Sequence, residues 1–302
     1  MNKIELSKRL SAICDMVYPS EAVADIGTDH GYLPIWLVQN GISPYAIASD
    51  INIGPINIAR ANISAYGLDD KIQTFLSDGL KSIDLTDIDT LVIAGMGGEL
   101  IVDILEHSSQ KLESVSAIIL SPHTKIEAVR KWVKSSEFIS IKEDMVYEDG
   151  KYYLIIRLER KAPHLGEDDL CASKSSDDSK RLDDSKSLDD SKCFDDSKNA
   201  YDSKSTKDSI LIKYESICID NPKRVSENIS HNISEKISDR YGNILIRNRH
   251  PVFLEFLKHR HDVLMKIKNQ MLVHGVDEVK QREIEEEIQI IREVQYEMQR
   301  DI

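Results

Sequence analysis

Through the first 160 residues, short uninterrupted apolar runs alternate with segments whose apolar positions recur every three or four residues. The runs are Ala22 to Ile26, Ala46 to Ser49, Ile72 to Leu76, Thr90 to Ala94 and Ala117 to Leu120. Helical periods lie between them over Leu33 to Val38, Ile56 to Tyr66, Leu100 to His107 and Ile126 to Val133. Continuously apolar strands are what a parallel sheet covered on both faces requires, and the intervening segments are long enough to be helical crossovers. The alternation predicts an α/β fold with a doubly wound, Rossmann-like sheet. Ile139 to Tyr147 and Tyr152 to Glu159 then flank Glu148-Asp149-Gly150, and Asp-Gly between two such runs predicts a hairpin that closes the sheet.

From Leu170 to about Asp208 the chain repeats every six residues, with Asp-Asp-Ser-Lys starting at Asp177, Asp183, Asp189 and Asp195. That period matches neither helix nor strand. So little apolar surface cannot offset the entropy of ordering, and the stretch reads as a disordered insertion. A calcium-binding aspartate repeat is the alternative, weakened by missing turn glycines and interrupting lysines. Residues 210 to 240 stay rich in Ser and Asn and read as more of the linker. Beyond Tyr241 the pattern changes: Phe253, Leu254, Phe256, Leu257, Val263, Leu264 and Ile267, then Ile284, Ile288, Ile291 and Val294, recur at helical spacing. Two amphipathic helices turning at His274-Gly275 predict an antiparallel hairpin with a coiled-coil-like seam. The seam packs on itself, on the first domain or on a second chain, so monomer and weak homodimer both fit. The expected organisation is a sheet domain over residues 1–162, a linker over 163–240 and a helical domain over 241–302.

Composition narrows the function classes. A net charge of −13 opposes polyanion binding, which depends on Lys and Arg displacing counterions. The charge is unevenly spread: residues 1–162 hold 16 basic and 23 acidic side chains, 163–209 hold 8 and 13, and 210–302 hold 15 and 16. The last part is nearly neutral, and Arg240, Arg247, Arg249, Lys258, Arg260, Lys266 and Lys268 allow a local basic patch there. Cys14, Cys171, Cys193 and Cys218 form no Cys-x-x-Cys pair and have no histidine at zinc-ligand spacing. That predicts reduced thiols, no metal and a cytoplasmic location. No apolar run approaches the roughly 18 residues of a membrane span, and Met1 to Arg9 alternates charged and apolar residues, unlike an export signal.

Chemistry-bearing residues sit where the predicted strands end. The first runs through Asp25-Ile26-Gly27-Thr28-Asp29-His30-Gly31-Tyr32-Leu33-Pro34, a glycine turn entering a helix, where backbone approaches a ligand closely. A pyrophosphate fingerprint wants Gly-x-Gly-x-x-Gly, and here Asp29 stands at the second glycine and repels phosphate. Carboxylates suit a cofactor with cationic amino and sulfonium groups and no phosphate, which is S-adenosylmethionine. The second strand ends at Asp50, followed by Ile51, where an acid can chelate ribose hydroxyls. The third leads to Asp78-Gly79, placed for an adenine amino group. Any one of these aspartates reads equally as a loop acid or cap; the ordered set at three successive strand ends does not. The fourth strand ends in Ala94-Gly95-Met96-Gly97-Gly98, read as the floor of a methyl-transfer site, with a plain glycine turn before a helix as the alternative.

Leu6 to Leu10, Asp25 to Pro34, Ile51 to Pro55, Ala94 to Gly98, Ser121-Pro122, Glu148 to Tyr153 and Tyr241-Gly242 through Arg249-His250-Pro251 together resemble the bacterial TrmK family of tRNA (adenine-22-N1)-methyltransferases. The resemblance covers residues 1 to about 160 and resumes at Tyr241; the six-residue repeat departs from it. It implies S-adenosylmethionine as cofactor, held around Asp25, Gly27, Thr28, Asp29, His30, Gly31, Asp50, Ile51, Asp78, Gly79, Ala94, Gly95 and Met96, and tRNA as partner. The target adenine is expected beside Asp29, Tyr32 and the Gly95 to Gly98 turn, with Pro122 and His123 lining its pocket. Lys8, Arg9, Arg247 and Arg249 are candidate phosphate contacts.

The chemistry agrees with what is missing. Enzymes that methylate exocyclic amines commonly carry an Asn/Asp-Pro-Pro-aromatic run after strand four, where this chain has Ala-Gly-Met-Gly-Gly. Adenine N1 already holds an in-plane lone pair, so it needs positioning and relief of developing positive charge rather than a base. Asp29 is expected to give that relief, with cofactor binding alone as its alternative role; His30 and His123 are not expected as general bases. A small-molecule methyltransferase shares every cofactor motif but needs no helical arm, and a non-catalytic cofactor-binding scaffold is a third reading.

Overall fold

The computed structural model describes residues 4–162, 231–274 and 278–300. Five parallel strands, β1 (Ala22–Ile26), β2 (Tyr45–Asp50), β3 (Ile72–Leu76), β4 (Thr90–Ala94) and β5 (Ala117–Ser121), are joined by a long antiparallel hairpin, β6 (Phe138–Glu148) and β7 (Lys151–Arg160). The seven-stranded order is β3-β2-β1-β4-β5-β7-β6, the Rossmann-like α/β sheet that the apolar runs predict. At the hairpin tip Asp149 and Gly150 have φ of 49° and 76°, the two left-handed residues that a twist-matched two-residue turn demands.

Helices α1 (Lys8–Cys14), α2 (Tyr32–Gln39), α3 (Ile53–Ala65), α4 (Gly98–Glu106) and α5 (Ile126–Ser135) cover the sheet. Strand residues alternate between its faces. Val23, Val92 and Ile119 join Ile13, Leu33 and Leu37 in one core, while their neighbours Ala24, Ile93 and Ile118 join Ile101, Leu105 and Val129 in another. Burial on both sides is why the strands read as unbroken apolar runs. β1 pairs with β2 on one side and β4 on the other, so the strand order reverses there and opens a crevice at the carboxyl ends.

The arm comprises α6 (His231–Tyr241), α7 (Ile244–Arg247), α8 (Pro251–His274) and α9 (Glu278–Gln299). Helix α6 corrects the expectation of linker up to residue 240: Ile237 and Tyr241 are buried and hold this Ser- and Asn-containing segment on the core. The Asp-Asp-Ser-Lys repeat and the rest of 163–230 lie outside the described residues. Arg260 pairs with Glu287, Lys268 with Glu285 and Arg249 with the Arg300 carbonyl; rising numbers on one side meet falling numbers on the other, so α8 and α9 run antiparallel. Their seam, with Leu257, Leu264, Ile288, Ile291 and Val294, is continuous with the sheet core. Sheet and arm belong to one compact unit.

A buried ion pair latches the two. Arg130 of α5 pairs with Glu143 of β6 at side-chain exposures of 9% and 1%, and its Nη2 also donates to the Tyr241 carbonyl at 3.1 Å. Gly242 follows with φ +71°, where any Cβ would stand 2.3 Å from Arg130 Nη1. A buried pair contributes little net stability, yet removing one partner strands the other charge at a cost of about 3–5 kcal/mol. Glu143→Ala is therefore expected to lower unfolding free energy by about that amount in urea denaturation, and Arg130→Met combined with Glu143→Leu to recover part of it.

Candidate active site at the strand ends

The end of β1 turns sharply because Gly27 takes φ +81°, and both Gly27 and Thr28 donate their N–H to the Ser49 carbonyl at 2.8 Å. A Cβ on Gly27 would come within 2.2 Å of Met96 Cε, so the thioether from the β4 loop lies against this turn. Asp25 is buried beneath it. Burial pushes its carboxyl up to about 6, with the Thr28 hydroxyl hydrogen bond opposing and the Asp50 charge adding. Asp50 accepts the Asn52 N–H at 2.7 Å through Oδ1, and Ile51 beside it is 60% exposed, an apolar surface at the crevice. Gly31 opens α2 with φ +71° and packs against Ala59 of α3. Asp29 is exposed and pairs with His30 Nε2 at 3.0 Å; the His30 ring stacks on Tyr32 at 5.2 Å. Asp78 pairs with Lys81, and Gly79 next to it takes φ +57° against Ile104.

The loops after β4 and β5 are built as one. His123 N–H donates to the Met96 carbonyl at 2.9 Å and Gly98 N–H to the Thr124 carbonyl at 2.7 Å, while Gly97 bridges Thr124. A Cβ on Gly98 would stand 2.3 Å from the Lys125 carbonyl. Gly98 is thus a buried brace, and its glycine is required by this contact. Gly95, after Ala94, takes φ +84° and is exposed; the nearest atoms to a side chain there would be Arg9 Nη1 and His123 Cε1, both at 3.9 Å. Pro122 is buried at the start of the loop.

Arg9, expected at a phosphate, turns onto this floor. Its Nη1 lies 3.0 Å from His123 Nε2, and its guanidinium sits 5.0 Å above the Tyr153 ring. His123 and Tyr153 are themselves 5.5 Å apart. Burial, then Arg9 and Lys151, depress the His123 pKa, so the ring is neutral and accepts from Arg9. The Lys8 N–H donates to Glu148 Oε1 at 2.6 Å, pinning α1 to the hairpin. Arg247 and Arg249 are carried by the arm rather than by this edge, and Arg249 donates to the Arg300 carbonyl. Tyr153 was not singled out by sequence reasoning. The available signal is β7 alternation, which puts it on the same face as Ile155, in the α1 core.

Among the described residues no cluster of His, Cys, Asp and Glu could hold a metal, Cys14 is a buried free thiol, and no helix is long and apolar enough to cross a membrane. A Rossmann-like sheet with acids at the ends of β1 and β2 and after β3, and an open glycine floor after β4, defines a class I methyltransferase. Residues 6–156 match the family described as "Methyltransferase domain". The curated tRNA (adenine(22)-N(1))-methyltransferase of Bacillus subtilis is 37% identical over 159 residues, covering 53% of this chain and 67% of that protein. Among solved structures, a Streptococcus pneumoniae putative tRNA (m1A22) methyltransferase superposes with TM-score 0.68 at 26% identity, covering 96% of this chain and 100% of that one. TrmK of M. capricolum in complex with S-adenosyl-homocysteine gives 0.65 at 26%, covering 97% and 99%. The chain belongs to the TrmK family of tRNA (adenine(22)-N(1))-methyltransferases.

Asp25 carries a pH-dependent cost. Its pKa is higher folded than unfolded, so its contribution favours the fold at low pH and is lost as pH rises from the ordinary 3.8 through about 6, a change on the order of 3 kcal/mol. Asp25→Asn is expected to stabilise the ligand-free protein by up to about 3 kcal/mol at pH 8, the gain vanishing below about pH 4 in urea titrations.

Proposed function

We propose that this chain transfers a methyl group from S-adenosylmethionine to N1 of adenine 22 in tRNA. The observation that carries the reading is the buried Asp25 carboxyl beside Asp50, held under a glycine turn that faces an exposed glycine floor. A buried acid whose ionisation is opposed by its surroundings fits a cationic group brought against the turn. S-adenosylmethionine, when bound, supplies the methyl group on a cationic sulfonium. Asp25, Gly27, Thr28 and Gly31 would hold its polar end, Asp50 the ribose, and Ile51, Asp78 and Gly79 the adenine.

The chain's own residues position the target base. Arg9, His123 and Tyr153 form a cationic aromatic platform beside Gly95, suited to stacking an unstacked adenine. Asp29, exposed and paired with His30, offers negative charge as the ring becomes cationic on N1, and Tyr32 stacked on His30 completes that wall. No proton need leave N1 before reaction, so neutral His123 serves as a hydrogen-bond acceptor. Lys8 and Arg247, both exposed, remain candidates for phosphate. A tRNA substrate puts the enzyme in the cytoplasm, and an arm seam consumed within the chain supports a monomer.

Asp29→Ala is expected to cut turnover about 10²–10³-fold while changing the S-adenosylmethionine dissociation constant less than about threefold; equal losses in both assign Asp29 to cofactor binding alone. Mapping modified nucleosides in tRNA from cells lacking and regaining the protein tests the reading itself: N1-methyladenosine at position 22 is expected to vanish and return, and an unchanged position 22 rejects it.

A further inference from the structure

Beneath the arm lies a cavity of about 480 Å³ that shares the loop after β5 with the active-site edge and is otherwise lined by residues outside it. Met145 and Leu154 of the hairpin contribute on one side, the loop after β5 and α5 on another, and α6, α8 and α9 on a third. That volume is typical of small-molecule sites, which are apolar pockets with a few placed polar groups between packed elements. Tyr152, Tyr241, Phe253 and Phe256 give it aromatic walls; Tyr152 meets Phe256 edge-on at 5.4 Å and Tyr241 meets Phe253 at 5.9 Å. Its lining carries four cations, each held by a carboxylate: Arg130 by Glu143, Arg240 by Glu127 and Glu287, Arg260 by Glu287 and Lys125 by Glu99. Glu287 holds Arg260 through contacts of 2.8 and 3.2 Å and draws Arg240 to 3.7 Å, so these guanidinium planes are oriented in advance.

Two polar groups in that lining are unmet. Tyr241 is 6% exposed and Arg130 9% exposed, and neither the Tyr241 hydroxyl nor Arg130 Nε has a hydrogen-bond partner. Burial, with Glu287 adding, keeps the Tyr241 phenol protonated and therefore a donor. A buried donor without an acceptor costs about 1–3 kcal/mol, and two in one cavity are explained if a ligand brings the acceptors. Aromatic faces, fixed guanidinium planes and buried donors are together what recognises an unstacked base and its phosphate.

We propose that this cavity takes one nucleotide, its base between the aromatic walls and its phosphate toward Arg240 and Arg260. The source we favour is the substrate tRNA itself, a nucleotide near the target, and in that respect the proposal rests on the methyltransferase reading. Placement favours the RNA. Pro122, His123 and Thr124 line the cavity, and the same loop bonds Met96 and Gly98 of the methyl-transfer floor. The captured nucleotide and the target adenine are then held by one loop.

The test is Tyr241→Phe, which deletes the hydroxyl and keeps the ring, alongside Arg260→Gln, both in the full chain. In filter binding with an unmodified tRNA transcript and S-adenosylhomocysteine present, Tyr241→Phe is expected to raise the dissociation constant about fivefold, the weight of one hydrogen bond. Arg260→Gln is expected to flatten the salt dependence by about one phosphate contact. Calorimetry should give wild-type S-adenosylmethionine affinity for both. If Tyr241→Phe instead melts higher and binds both transcript and mononucleotides like wild type, the hydroxyl is only an unmet donor and the proposal falls. AMP and GMP titrated into wild type and Tyr241→Phe separate the sources: heat lost in the variant, with transcript binding unmoved, keeps the ligand class and overturns the RNA as its source. If both variants show the expected binding changes while the wild-type chain transfers no label to tRNA, the cavity is upheld and the methyltransferase reading is rejected.

Discussion

Parallel pairing is the constraint on which the rest of this molecule depends. Strands that all run one way must return by crossovers, so every carboxyl end arrives at the same edge and every functional loop is delivered there. Because β1 lies between β2 and β4, the loops after these strands diverge around a crevice, and the Gly27 turn can meet Met96 across it. The registers Asp25 with Ala48 and Val92 hold these ends level. A shift of one residue would turn Asp25 toward the other face and exchange its place with an apolar neighbour.

Much of this was legible in the chain, for a physical reason. Strands buried on both faces carry their signal locally, as the runs at β1, β4 and β5 do, and the Asp149-Gly150 pair carries its turn chemistry in its own two residues. The strand-end acids were legible because their order along the chain is their order around the crevice. Other features depend on distant partners. Helix α6 presents Ile237 and Tyr241 four residues apart among polar residues, and its place on α5 comes from Arg130, over a hundred positions away.

The same distinction explains the site. Arg9 reads as a candidate phosphate contact, and its place over Tyr153 and beside His123 appears only in the fold. Gly97 and Gly98 read as substrate contacts, whereas Gly98 is occupied in admitting the 124–125 backbone. A glycine marks a close approach without saying what approaches. The arm reads as a hairpin whose seam packs on itself, on the sheet domain or on a second chain, and the folded chain shows its apolar face continuing into the sheet core.

The buried acid under the first turn sets the interests of the empty protein against those of its chemistry. Any screen that rewards heat resistance alone would favour an amide at position 25, since the neutral side chain fits the same space without the ionisation penalty. Such a lineage would become hardier and idle at once. Directed evolution of this scaffold therefore has to select for turnover and endurance together, or keep the sulfonium compound present while it heats.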